Sequence, residues 1–145
     1  MCISIFFQLL PLDLIYPNQS HREGTQNLTL STKLSSDSKH IAMEFFTQAN
    51  KSFKILLDFE HDCICLNTTE NTITTNSFVV KEEIPFVPEQ VRELRVVRNT
   101  NESEITLYAN HTELFNETLP ITRPVGKLNH VHINGDLILL NAKFN

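Results

Sequence analysis

The sequence predicts an all-β fold, a sandwich of two antiparallel sheets packed face to face. Short segments that alternate polar and apolar residues recur along the chain, with turn residues at intervals of about 8–12 residues between them. Strand-favouring Thr, Val, Ile and Phe are abundant, whereas Gly occurs only at three positions. No segment sustains a helical period, and residues 88–94, which come closest, continue into a strand-like pattern.

The predicted strands follow the chain in order: they cover residues 25–30, 40–46, 53–59, 63–68, 78–84, 91–98 and 105–109, and segment 104–141 contains four strands in all. Ser, Asp and Asn clusters mark the turns, since few glycines are available. Asn134-Gly135 predicts a two-residue hairpin turn. The apolar alternate positions predict the core: Leu28, Leu30, Ile41, Phe45, Val96, Leu107, Val131, Ile133, Leu137 and Leu139.

Length and charge narrow the class of protein. We expect a single domain over residues 1–145, because 145 residues suffice to bury a sizeable core. The net charge of −5 disfavours a nucleic-acid partner, which would require a basic face. No apolar segment approaches the roughly 20 residues of a membrane-spanning helix. We expect no cofactor.

Residues 1–10 and the sequons leave localisation open. The N-terminal segment is either a strand of the sandwich or a weak signal-like segment that lacks a basic region and an Ala-x-Ala site. Seven Asn-x-Ser/Thr sequons favour an extracellular glycoprotein, whereas unpaired cysteines favour a reducing compartment such as the cytoplasm. The sequons are Asn18, Asn27, Asn50, Asn67, Asn101, Asn110 and Asn116.

The three cysteines, Cys2, Cys63 and Cys65, cannot all pair within one chain. Cys63 and Cys65 face the same side of a predicted strand but are badly placed to bond each other. A Cys-x-Cys pair can bind zinc, yet His130-x-His132 is the one other candidate and does not complete a ligand set by spacing. We therefore expect no metal.

Several motifs, in order, resemble those of the galectins, the galactoside-binding lectins. Residues 11–17 are similar to the Pro-x-x-Leu-x-x-Pro entry of that family, residues 40–46 to its Ile-x-Leu-x-Phe strand and residues 83–86 to its Phe-Pro-Phe segment. Segment 104–141 resembles the C-terminal half. The resemblance implies a jelly-roll sandwich whose concave face carries a glycan groove, and release from the cell by an unconventional route.

The resemblance also implies that most galactose contacts are replaced. The family's His-x-Asn-x-Arg strand falls on Leu56, Asp58 and Glu60, and only Asn67 keeps its residue type. The Trp-x-x-Glu-x-Arg positions fall on Thr74 or Thr75, Phe78 and Val80, and the chain contains no Trp. Because the Trp face stacks on galactose, its loss removes the usual platform. The candidate glycan contacts are Asp58, Glu60 and Asn67.

Two functions from different classes follow. The first is a galectin-like carbohydrate-binding module, for a glycan or glycoprotein, with altered or lost galactoside specificity. The second is a galectin-fold protein-interaction module that binds no glycan, with a protein partner or a second copy of itself as a homodimer. An enzyme is disfavoured, because Asp58 and Glu60 lie on one predicted strand without the aromatic subsites of a glycosidase.

Overall fold

The computed structural model describes residues 4–8, 11–17, 25–47, 50–79, 88–99, 104–119 and 127–144. The strands are β1 (Ser4–Gln8), β2 (Leu12–Ile15), β3 (Thr25–Lys33), β4 (His40–Thr47), β5 (Lys51–Asp58), β6 (Cys63–Glu70), β7 (Ile73–Val79), β8 (Glu93–Asn99), β9 (Glu104–Ala109), β10 (Thr112–Thr118), β11 (Leu128–Gly135) and β12 (Ile138–Phe144). A 3₁₀ turn covers Pro88–Gln90. No helix in these ranges is long and apolar enough to cross a membrane.

The strands form two six-stranded sheets, with the orders β1-β12-β3-β8-β9-β10 and β2-β11-β4-β5-β6-β7. We call the first the back sheet and the second the front sheet. Neighbouring strands are antiparallel throughout both sheets. The predicted all-β sandwich of two antiparallel sheets is confirmed.

The core lies between the sheets and is built by strict alternation. In β4 and β5 every second residue is buried, so that one face of each strand is apolar and the other is half-exposed. Every residue predicted for the core is buried. Burial of each large apolar side chain stabilises the sandwich by about 1.5–3 kcal/mol.

Two tight hairpin turns form without glycine. Asn71 and Thr72, with φ of 50° and 68°, join β6 to β7, and Asn110 and His111, with φ of 48° and 69°, join β9 to β10. Positive φ at both central residues is the signature of a type I′ turn, which matches the twist of the flanking strands. Asn tolerates this backbone region better than most residues, so the expected reliance on Asn turns is borne out.

The hairpin predicted at Asn134-Gly135 is wrong. β11 pairs with β2 and β4 in the front sheet, while β12 pairs with β1 and β3 in the back sheet. The chain therefore crosses between sheets at this point. Gly135 instead allows the backbones of β11 and β4 to approach closely. Its φ is 143°, and a Cβ atom there would lie 2.5 Å from the carbonyl oxygen of His40.

The strand predicted for residues 78–84 begins earlier than expected, and residues 78–79 are its last two described residues. β7 runs from Ile73 to Val79, and residues 80–87 lie outside the described part of the chain. Residues 74–77 of β7 are Thr, Thr, Asn and Ser, so this stretch shows no apolar alternation. Pairing with β6 along its whole length places it in the sheet despite this. The preference of residues 91–98 for a strand over a helix is confirmed by β8.

Candidate ligand-binding face

The outer face of the front sheet, which points away from the core, is half-exposed and chemically mixed. Its residues on β4, β5 and β6 alternate with the buried ones. Antiparallel register sets these side chains directly opposite one another, at distances where cross-strand neighbours interact. Two parallel rows result, one polar and one largely apolar.

The polar row consists of Asp13, His132, Glu44, Lys54 and Asn67, each the direct cross-strand partner of the next. It crosses five strands, and Asn76 continues the register on β7. At its β2 end, His132 Nδ1 lies 2.8 Å from Asp13 Oδ1. The row offers carboxylates, an ammonium group and an amide side by side, a combination of donors and acceptors suited to polyhydroxylated ligands.

The apolar row consists of Ala42, Leu56 and Cys65, which are direct partners on β4, β5 and β6. All three are half-buried on the outer face. The register places Phe78 of β7 opposite Cys65. Leu56 thus occupies an outward position, and an apolar strip runs beside the polar row.

Asp58 ends β5 and organises the turn to β6. Its Oδ1 accepts the N–H groups of Glu60 and His61 at 3.0 and 3.1 Å, and His61 Nδ1 lies 2.8 Å from its Oδ2. Partial burial opposes ionisation of Asp58, but the hydrogen bonds and charge of His61 outweigh it and lower the pKa of the carboxyl. The same hydrogen bond, with the charge of Asp58, raises the pKa of His61.

Glu60 lies in the turn rather than on the strand, since β5 ends at Asp58. Its side chain is exposed and forms an ion pair of 3.7 Å with Lys39. The turn thus separates Glu60 from the strand position predicted for it. Among the three predicted contacts, Asn67 is the one that projects from the middle of the outer face, opposite Lys54.

Three of the remaining replaced positions, Thr74, Thr75 and Phe78, lie along β7. Thr74 is the partner of Thr69, with the hydroxyl oxygens 3.1 Å apart on the exposed surface. The register pairs Thr75 with Thr68, and Thr74 itself is exposed. Val80 lies outside the described residues.

An aromatic pair that sequence reasoning missed lies on β4 and β11. The rings of Phe46 and His130 stack with centroids 4.3 Å apart and planes inclined by 9°. Ser52 follows as the partner of Phe46 on β5, and Ile15 as the partner of His130 on β2. The pairing of β11 with β4 creates this contact between residues 84 positions apart (130 − 46), which no local pattern reveals.

Cys63 and Cys65 face the same side of β6, as predicted, with their Sγ atoms 3.9 Å apart. Both thiols are free and half-buried. Burial, together with the thiol of Cys65 and the negative charges of Asp58 and Asp62, raises the pKa of Cys63. Asp58 is the direct cross-strand partner of Cys63, so the thiols adjoin the Asp58–His61 turn.

The sequons differ in how accessible they are. Asn50 lies in an exposed turn and Asn116 is exposed on β10, the edge strand of the back sheet. Asn27 and Asn67 are half-buried on strands inside their sheets. Asn110 is exposed, but its amide nitrogen donates to the carbonyl oxygen of Gln90 at 2.6 Å. Asn18 and Asn101 lie outside the described residues.

Solved structures share this architecture over nearly the whole chain. The crystal structure of Caenorhabditis elegans galectin LEC-6 superposes with a TM-score of 0.74 over 98% of this chain and 95% of that one, at 14% sequence identity. The chain has a galectin fold. Sheep galectin-11, solved in complex with glycerol, gives a TM-score of 0.70 over 95% and 99% of the two chains, at 15% identity.

The galectin fold was the expectation drawn from the sequence motifs, and it is confirmed. Comparison with protein-family models finds no match, and comparison with curated protein sequences finds none. The likeness to LEC-6 and sheep galectin-11 therefore concerns the course of the backbone. What the outer face binds has to be argued from its own side chains.

Proposed function

We propose that this galectin-fold chain is a carbohydrate-binding module whose outer front-sheet face has altered or lost specificity for β-galactosides. The polar row carries the proposal, because it lines up Glu44, Lys54 and Asn67 on three adjacent strands. Paired sugar hydroxyls are recognised by such neighbouring donors and acceptors. The galectin fold of the structural neighbours, which are named as galectins, supports the same reading.

The two rows offer a sugar different kinds of contact, hydrogen bonds from the polar row and apolar contacts from the apolar row. Asn67 offers both a donor and an acceptor, Lys54 donates and Glu44 accepts. Leu56 and Ala42, in the adjoining apolar row, offer aliphatic surface to the C–H groups of a sugar ring. Because Leu56 and Thr74 replace a polar clamp and an aromatic platform, this arrangement favours a ligand other than the usual galactoside.

A protein partner is the second candidate, and exposed apolar residues favour it. Ile15 on β2 and Ile73 on β7 expose 72% and 71% of their surface. Both belong to the edge strands of the front sheet, where unpaired backbone groups are available for pairing with another chain. A second copy of this chain is one such partner.

We infer no catalytic role for the carboxylates. Both oxygens of Asp58 already accept hydrogen bonds from the turn, and Glu60 forms an exposed ion pair with Lys39. Neither arrangement leaves an acid and a base facing a common substrate position.

A glycan array with lactose as competitor tests the proposal. We expect binding that lactose does not displace, and that Asn67→Ala or Lys54→Ala reduces at least tenfold. Asn116→Ala, an exposed amide on the back sheet, is the matched control and should bind as the wild type does. Binding that lactose displaces would overturn the altered specificity. Silence from a folded sample, combined with dimers in sedimentation, would favour the protein-interaction reading.

A further inference from the structure

The stacked rings of Phe46 and His130 stand upright on the outer face of the front sheet. Their planes are inclined by 9° and their centroids are 4.3 Å apart, close to the roughly 4.5–5.5 Å that separates the Cα atoms of directly paired residues. The two residues are such a pair on β4 and β11. The ring faces are therefore turned along the cross-strand row, so that His130 covers one face of Phe46 and the other face is turned towards β5.

Short hydroxyl side chains line the space in front of that second face. The partner of Phe46 on β5 is Ser52, and the partner of Ser52 on β6 is Thr69. Both hydroxyl residues are half-buried, and neither is long enough to cover a phenyl ring that stands beside it. Two strand spacings separate Phe46 from Thr69, about 9–10 Å, which leaves room for one sugar ring over Ser52.

The polar row runs alongside this space. Its members Glu44, Lys54 and Asn67 are each two residues, or about 7 Å, from the member of the Phe46 row on the same strand. A sugar ring in contact with Phe46 therefore has hydrogen-bond donors and acceptors along one side. Because Glu44 lies directly opposite Lys54, its carboxylate compensates for the charge of the ammonium group, and an uncharged sugar suits this neighbourhood better than an anionic one.

We propose that the face of Phe46 turned towards β5 is the stacking surface for an uncharged pyranose ring, which lies over Ser52 with its hydroxyls directed to Lys54 and Asn67. The inference rests on the carbohydrate-binding function proposed above, and it assigns the aromatic contact in a chain that contains no Trp. Aromatic faces make favourable contacts with apolar surface, here the C–H face of the sugar.

The position of this ring supplies a physical reason for altered specificity. The family's Trp aligns with β7, whereas Phe46 lies on β4, at the other side of the space over Ser52 and Thr69. A sugar stacked on Phe46 is therefore held from the opposite side and presents different hydroxyls to the polar row. Selection among sugar epimers depends on which hydroxyls meet those donors and acceptors.

Binding of Phe46 and Ser52 variants to the glycan array tests the proposal. Phe46→Leu keeps an apolar side chain but removes the aromatic face, and we expect it to weaken binding of neutral glycans about three- to tenfold. Phe46→Tyr keeps the ring and should retain binding. Ser52→Leu fills the space in front of the ring and should weaken binding about tenfold or more. Phe59→Leu, a partly buried aromatic residue just beyond β5, is the matched control and should bind as the wild type does.

Proton NMR of the neutral glycan that the array retains best adds a direct readout of stacking. We expect the ring currents of Phe46 to shift C–H protons of the sugar upfield with the wild type and with Phe46→Tyr, and not with Phe46→Leu. Circular dichroism of each variant confirms that the sandwich is intact.

The outcomes distinguish this inference from the proposed function. Glycan binding that depends on Lys54 and Asn67 but is unchanged in Phe46→Leu, or that falls equally in Phe46→Leu and Phe59→Leu, would overturn the stacking role and leave the carbohydrate-binding function in place. Retention of sialylated or sulfated glycans alone would overturn the preference for an uncharged sugar. A folded wild type that binds no glycan would overturn both proposals.

Discussion

The two faces of the front sheet are built from the same strands but differ in burial and in the residue types they require. On β5, Phe53, Ile55 and Leu57 point inward and are almost completely buried, whereas Lys54 and Leu56 point outward and are half-buried. The inner face must be apolar, because it packs against the back sheet. The outer face carries no such constraint. Substitutions on it can therefore alter which ligand is bound without changing the fold.

The largest effects should come from breaking the inner face. Ile55→Ala removes a completely buried side chain and should lower the free energy of unfolding by about 2–5 kcal/mol. Its neighbour Leu56→Ala, on the outer face, should cost about 1 kcal/mol or less. Urea denaturation of both variants measures the difference. Equal losses would show that Leu56 belongs to the core and that the two faces are not distinct.

The crossover from the front to the back sheet should be the next most sensitive point. Gly135→Ala places a Cβ 2.5 Å from the carbonyl oxygen of His40 at a φ of 143°, so we expect a loss of about 1–3 kcal/mol or more. Asn134→Ala, one residue earlier and exposed, should cost less. Thermal unfolding distinguishes them, and a Gly135→Ala protein as stable as the wild type would contradict the crossover geometry.

The β9–β10 turn of the back sheet should show a smaller loss. Asn110 holds a positive φ, and its Oδ1 accepts the N–H groups of Arg92 and Glu93 at 2.9 and 3.1 Å. Asn110→Ala should therefore destabilise the chain by about 1–2 kcal/mol, whereas Asn116→Ala on the adjoining strand should have almost no effect. Chemical denaturation provides the measurement, and similar midpoints for the two variants would count against the turn's role.

The smallest effect should be the pH dependence of the β5–β6 turn of the front sheet. The lowered pKa of Asp58 stabilises the turn above the unfolded value of about 3.9, an effect lost as pH falls through the folded pKa. The raised pKa of His61 stabilises it below about 6.5, an effect lost as pH rises through the folded pKa. The pair is therefore strongest between about pH 4 and 6.5.

NMR titration of the His61 ring measures this coupling. Asp58→Asn should return the pKa of His61 towards its ordinary value, whereas Asp62→Asn, a matched change in the same turn, should leave it close to that of the wild type. A His61 pKa that is the same in the wild type and Asp58→Asn would contradict the observed hydrogen bond.

Local alternation made the inner face predictable from sequence, whereas the outer face depended on register. The alternation within each strand indicates its buried positions, which is why Ile41 or Val131 could be assigned to the core without knowledge of the partner strand. The polar row, in contrast, joins Asp13 to His132 across 119 positions. The hairpin prediction at Asn134-Gly135 was wrong for a related reason. A local turn signal does not reveal that the next strand enters the other sheet.

Amide NMR of the labelled chain, titrated with the glycan that binds best on the array, tests the central claim most directly. We predict that chemical shifts change along β4, β5 and β6 around Lys54, Leu56 and Asn67, while the amides of the back sheet stay unchanged. Lactose added in the same way should leave the front sheet unchanged. Shifts confined to the back sheet, or none with any glycan, would contradict the claim that the outer face of the front sheet binds carbohydrate.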